Sequence, residues 1–176
     1  VVMWGPRTKK AVGDAVLESM QKAGIEVIDV DFGGECTKEE TQRIADLAKG
    51  ADCVIGIGGG KAIDTAKGAA IFANLPHIIV PTIASNDSPT SGCTVWYNDE
   101  GACTGFGLWS CNPDYILVDT QVIANAPLRY FKAGVGDAIA TWFEANASYQ
   151  SRAVTCAGGI PTNTAMKMAR LCYDTL

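Results

Sequence analysis

Apolar positions in the first half of the chain switch between a helical and an extended spacing. Val12, Val16 and Met20 recur every fourth residue within 8–23, one face of a helix, and Gly24 stands where such a helix ends. IEVIDVDF (25–32) is rich in β-branched residues and predicts a strand. Gly33-Gly34 turns the chain, and Thr37 followed by Glu40 predicts a capping box that opens a helix running to Gly50. DCVIGIG (52–58) predicts a buried strand, KAIDTAKGAAIFAN (61–74) a helix, and HIIVP (77–81) and YILVD (115–119) two further strands. Strands alternating with helices predict parallel βαβ units, and unbroken apolar runs fit a sheet covered on both faces.

Two stretches depart from that rhythm. In 93–109, two apolar and aromatic runs flank Asn98-Asp99-Glu100-Gly101, which predicts a β-hairpin inserted in the sheet topology or lying over it. From Pro127 onward the pattern is helical, over 129–150 and 162–176. Met166, Ala169 and Leu176, with Ala165 and Cys172, form the apolar side of the last helix, which carries no stop signal. Helices of this kind normally pack on a larger body, so a bare apolar face and a homo-oligomer are expected.

Charge narrows the partners. With 14 Lys plus Arg against 19 Asp plus Glu the net charge is −5, and an isoelectric point near 4.8 argues against nucleic acid. No apolar run approaches the ~18 residues a membrane span needs, and VVMWGPRTKK lacks the pattern of a signal peptide. The seven cysteines are odd in number with no C-x-x-C, so neither a disulfide framework nor a zinc ribbon is expected. Reduced, mostly buried thiols in a cytoplasmic protein are the expectation. The single histidine, His77, makes a Cys–His nucleophile a poor reading.

The sharpest chemical signal is the run Gly56-Ile57-Gly58-Gly59-Gly60-Lys61-Ala62-Ile63-Asp64, where a buried strand passes through three glycines into a helix. Glycine lets the backbone turn tightly and lets a ligand approach it. The N–H groups at the helix start then favour a phosphate. Lys61 at the sixth position departs from G-x-G-x-x-G, and Ala62 stands where a Walker loop needs Ser or Thr. The competing reading is a bare strand–helix turn, for which two glycines suffice. A first-turn Asp64 is favourable against the helix dipole in either case, whereas Lys61 is unfavourable there unless it faces an anion.

Four motifs in order, GIGGGKAIDTAK (56–67), PTIASNDSPTS (81–91), NPDYILVDT (112–120) and GVGDAIATWFEANA (134–147), together with FGGEC (32–36), resemble the glycerol dehydrogenase branch of the iron-containing (group III) alcohol dehydrogenase superfamily. The resemblance spans nearly the whole chain. It implies an α/β fold, with a Rossmann-like parallel-sheet nucleotide domain over 1–122 that carries the hairpin at about 92–109, followed by the start of an all-helical metal and substrate domain over 123–176. It also implies an NAD-linked polyol oxidoreductase with zinc, oxidising glycerol to dihydroxyacetone. Gly58, Gly59, Gly60 and Lys61 would hold the pyrophosphate, with Asp64 at the nucleotide site and Thr82 and Ser85 lining the cofactor. Ser91, Cys93 and Tyr97 would meet the nicotinamide end, Asp87 would face the substrate hydroxyls, and Asp137 would be a metal ligand. Taken alone, Asp87 reads equally as a turn residue and Asp137 as a helix N-cap.

Three departures from the family pattern matter. Family members carry a short strand, placed ahead of residue 1, that ends in an Asp holding the adenosine ribose; Trp4 stands at the matching position, either to stack on adenine or to disrupt the site. Cys93 replaces the usual Leu of the hairpin, a mild change. The two His ligands that the family's metal requires have no counterpart here, since His77 falls in a predicted strand. The chain is therefore read as an N-terminal portion that binds NAD and turns over little by itself. A non-catalytic NAD-binding module and a relative of glycerol-1-phosphate dehydrogenase are the alternatives.

Overall fold

The computed structural model describes residues 1–176, which form two compact units: Val1–Ile83 with Ser88–Ala126, and Ala84–Asp87 with Pro127–Leu176. In the first unit β1 (Val2–Trp4) leads into α1 (Pro6–Lys22), followed by β2 (Asp29–Asp31), α2 (Lys38–Leu47), β3 (Val54–Gly58), α3 (Gly60–Ala73) and β4 (His77–Pro81). Strands β5 (Cys93–Tyr97) and β6 (Cys103–Leu108) come next, then β7 (Tyr115–Ile116) and the short α4 (Thr120–Ala124). Five strands form one parallel sheet in the order β2-β1-β3-β4-β7.

Side chains of a strand alternate between faces, and β1 divides the core accordingly. Val2 and Trp4 join Ile57 under Val12, Val16 and Met20 of α1. Met3 points to the other face, into the cluster of Val30, Ile44, Ile63 and Ile79 beneath α2 and α3. Gly56 lets α3 lie close on β3, because a Cβ there would fall 2.4 Å from Ala66 Cβ.

The structure corrects several sequence expectations. Residues 2–4, where the sequence pattern predicts no strand, form β1, which at three residues is too short to show a period. Strands expected over 25–32 and 115–119 are limited to 29–31 and 115–116. Thr37 does cap α2, accepting from the Glu40 N–H at 3.0 Å. The reciprocal half of the capping box is absent, because Glu40 accepts instead from Gly33 N at 2.7 Å and pairs with Arg43. Of the thiols only Cys36 is buried, whereas Cys103, Cys111 and Cys156 are exposed and Cys53, Cys93 and Cys172 intermediate.

Strands β5 and β6 form a separate antiparallel pair. Its turn is closed by Asn98, whose side-chain oxygen accepts from Ala102 N at 2.8 Å. Trp96 and Trp109 meet edge to face with centroids 5.9 Å apart, and both contact Phe72 of α3. The second unit is a pair of helices, α5 (Leu128–Ser151) and α6 (Asn163–Thr175), with residues 84–87 lying on α5. A Cβ at Gly134 would come within 2.2 Å of the Ala84 carbonyl oxygen, so only glycine fits there. No helix is long and apolar enough to cross a membrane.

Candidate dinucleotide site

Adjacent strands β1 and β3 both run into helices whose N-cap residue is glycine. Gly5 precedes α1 and Gly59 precedes α3, and neither helix has a side-chain cap. No side-chain cap takes the first-turn N–H groups of either helix, and Pro6 leaves α1 without a donor at its first position. The loop is tightly built on its protein side. A Cβ at Gly58 would meet Ala62 Cβ at 3.0 Å and Thr8 Oγ1 at 3.8 Å, and one at Gly59 would meet Ile83 Cδ1 at 2.6 Å. Packing of the loop against the protein thus by itself favours a small residue at both positions.

Thr82 completes this edge. Its N–H donates to the Gly58 carbonyl at 3.0 Å, and its hydroxyl lies 3.4 Å from that of Thr8. Thr8 was not among the residues expected at the site. Its place in the first turn of α1, after Gly5-Pro6, was the available signal. Beside Thr82 a groove of about 350 Å³ opens, walled by Val16, Met20, Ile57, Val80 and Leu117 and rimmed by Asp119. Asp119 accepts from the Gln121 and Val122 N–H groups and so caps α4.

Several expected contact residues are instead engaged by the protein. Lys61 donates to Glu35 Oε2 at 2.5 Å and lies 5.3 Å from the centre of the Tyr97 ring. Asp64 is buried, and its carboxylate accepts from Ser88 Oγ at 2.6 Å and Val95 N at 3.0 Å. It also pairs at 2.9 Å with Lys67, which has no exposed surface. The Lys67 ammonium donates to the Ser88 carbonyl at 2.8 Å, the Ser91 carbonyl at 3.1 Å and Ser91 Oγ at 3.2 Å. Sequence reasoning placed Ser91 against the nicotinamide and missed Lys67, whose position one turn after Asp64 was the signal. Cys93 and Tyr97 bracket β5. Burial raises the Tyr97 phenol above its ordinary value, with the Asp64 charge adding to it.

Trp4 offers no exposed ring face on which a base could stack. It is fully buried in β1, and its indole N–H donates to Asp29 Oδ1 at 2.7 Å. Asp29 and Asp31 share Lys9, at 2.8 and 2.9 Å. Burial works against the ionised Asp29, and the Lys9 and Trp4 hydrogen bonds outweigh it and hold its carboxyl below the ordinary value.

In the second unit, the Asp87 N–H donates to Asp137 Oδ2 at 3.2 Å, and both carboxylates are exposed. Asp137 lies well inside α5, so it is not an N-cap. Ser85 belongs to the same short segment as Asp87. No group of three or more His, Cys, Asp or Glu side chains is placed to hold a metal ion. The zinc that the family resemblance implies is therefore not housed by these residues alone. His77 is a strand histidine, buried in β4, with Nδ1 3.4 Å from Asp114 Oδ2.

Residues 1–120 match the sequence profile of iron-containing alcohol dehydrogenases. The chain is 47% identical to glycerol dehydrogenase from Pseudomonas putida over 93% of its own length and 45% of that protein. It is 45% identical to glycolaldehyde reductase from Halobacterium salinarum over 92% of its length and 45% of that protein. The crystal structure of glycerol dehydrogenase from Schizosaccharomyces pombe superimposes with a TM-score of 0.89 at 35% identity, covering 99% of this chain and 45% of that one. The chain thus spans less than half the length of these three relatives.

Proposed function

Since the chain belongs to the iron-containing alcohol dehydrogenase family, we propose that it binds NAD on its glycine loop and serves a dehydrogenase that oxidises glycerol, or a related small polyol, to dihydroxyacetone. The observation that carries this reading is the pair of uncapped helix starts, α1 and α3, at neighbouring strands with Gly58 and Gly59 between them. A pyrophosphate there meets unused N–H donors and the positive ends of two helix dipoles. The apolar groove beside Thr82 suits the flat adenine base, which buries well against aliphatic walls. Gly58, Gly59, Gly60, Lys61 and Thr82 are the cofactor residues of this reading. Asp64 acts on the site through Lys67 and Ser91, Ser85 stays assigned to the cofactor lining, and Cys93 and Tyr97 stay assigned to the nicotinamide end.

Asp87 accepts hydrogen bonds from the polyol hydroxyls and fixes their orientation. Asp137 is the one metal ligand the chain offers, and a Lewis-acid metal bound through it and further ligands would stabilise an alkoxide. What these residues supply by themselves is cofactor binding and hydroxyl orientation, so turnover by this chain alone is expected to be negligible. The exposed Phe131, Phe143 and Leu171 of the helical unit support association with further protein, including a second copy.

Calorimetry tests the proposal. NADH should bind saturably, and glycerol added to the NADH-loaded chain should give a second signal that Asp87→Asn removes. No NADH signal from folded protein would sink the dinucleotide reading. A signal from glycerol-1-phosphate that glycerol does not give would move the substrate to a phosphorylated polyol.

A further inference from the structure

Lys61 opens α3 and is half-exposed, with its ammonium held by Glu35 Oε2 at 2.5 Å. The Glu35 carboxylate is itself fixed, because its other oxygen accepts from the Cys36 N–H at 3.0 Å. The same segment is tied to the hairpin by a hydrogen bond from the Tyr97 N–H to the Cys36 carbonyl at 2.8 Å. The Tyr97 ring lies beside the Lys61 ammonium, 5.3 Å away. Phe32 and Cys36 anchor both ends of FGGEC in the core. A rigid carboxylate and a ring face thus hold the only cation at the start of α3, and they hold it on the protein rather than over a ligand.

We propose that Glu35 is a positioning residue that stores the Lys61 ammonium and releases it to the cofactor pyrophosphate, so that the Glu35–Lys61 pair sets cofactor affinity. The inference rests on the dinucleotide reading above. A cation at a helix N-terminus is unfavourable against the dipole, and Glu35 offsets that cost while the site is empty. When a pyrophosphate arrives, the ammonium exchanges one anion for another. The cofactor must then outcompete Glu35, and a negative charge is left near the ligand. Glu35 therefore weakens binding and eases release.

The test is NADH binding by the full chain and by Glu35→Gln, Lys61→Met and the double variant, each checked for an unchanged melting profile. Glu35→Gln should tighten binding by about threefold, the scale of a partly exposed ion pair. Lys61→Met should weaken it, and the gain from Glu35→Gln should vanish in the Lys61→Met background. Raising the salt concentration should shrink the gap between wild type and Glu35→Gln. Weaker or unchanged binding in a folded Glu35→Gln chain would overturn the inference, as would a gain that survives Lys61→Met. If Glu35→Gln does not fold, a crystal of the wild-type chain soaked in pyrophosphate decides. Lys61 Nζ on a phosphate oxygen supports the exchange, and Lys61 still on Glu35 refutes it. Absence of any NADH binding by the wild type would instead count against the dinucleotide reading itself.

Discussion

Lys67 and Asp64 meet at 2.9 Å on successive turns of α3, and the lysine has no exposed side-chain surface. A buried ion pair holds only when its remaining donors and acceptors are satisfied, and here they are. Lys67 also donates to the Ser88 and Ser91 carbonyls, while Asp64 accepts from Ser88 Oγ and from the backbone of β5. One pair thus fastens both the turn after β4 and the hairpin to the glycine helix.

Replacing Lys67 by Met should therefore do more than remove a charge. It leaves Asp64 buried without its cation, a change that costs about 3–5 kcal/mol. Urea unfolding measures the loss. A variant within about 1 kcal/mol of wild type would show that the network is not what holds these segments.

Trp4 yields a prediction about the altered ribose position. The side chain fills the space under α1, where it lies near Gly13, so Trp4→Ala should cost about 3–5 kcal/mol. Trp4→Asp, which restores the carboxylate of the family pattern, should cost at least as much, because the new charge is buried beside Asp29. It should not improve NADH binding. A stable Trp4→Asp chain with tighter NADH binding would place the ribose at this position after all.

His77 predicts an acid-side loss of stability. Burial pushes its pKa below the ordinary 6.5; the Asp114 charge opposes that and the Lys67 charge adds to it. The imidazole is neutral in the fold at neutral pH, whereas the unfolded chain takes up a proton more readily. Its contribution is therefore complete above the unfolded value and is lost as pH falls through the lowered folded one. Unfolding free energies at about pH 7.5 and about pH 5.5 should differ more for wild type than for His77→Gln. Equal differences would assign the acid sensitivity to other groups.

Much of the fold was legible because long βαβ periods are hard to mistake. The helices near 8–23 and 61–74 and the strands at 52–58 and 77–81 all have counterparts in α1, α3, β3 and β4. β1 was missed because three residues carry no period. At the site, the glycine run announced itself through composition. The engagement of Lys61 by Glu35, and of Ser91 by Lys67, did not, because each joins residues far apart in sequence whose meeting depends on tertiary packing. For Thr8 the place after Gly5-Pro6 was readable, but its meeting with Thr82 depends on how α1 packs.

In the proposed function the glycine loop cradles a dinucleotide. Titrating the chain with NADH while following tryptophan emission tests it most directly, with Trp96, Trp109 and Trp142 as reporters and buried Trp4 as a check on folding. Saturable quenching is expected, competed away by inorganic pyrophosphate and weakened by Lys61→Ala. A folded chain whose emission does not respond to NADH would contradict it.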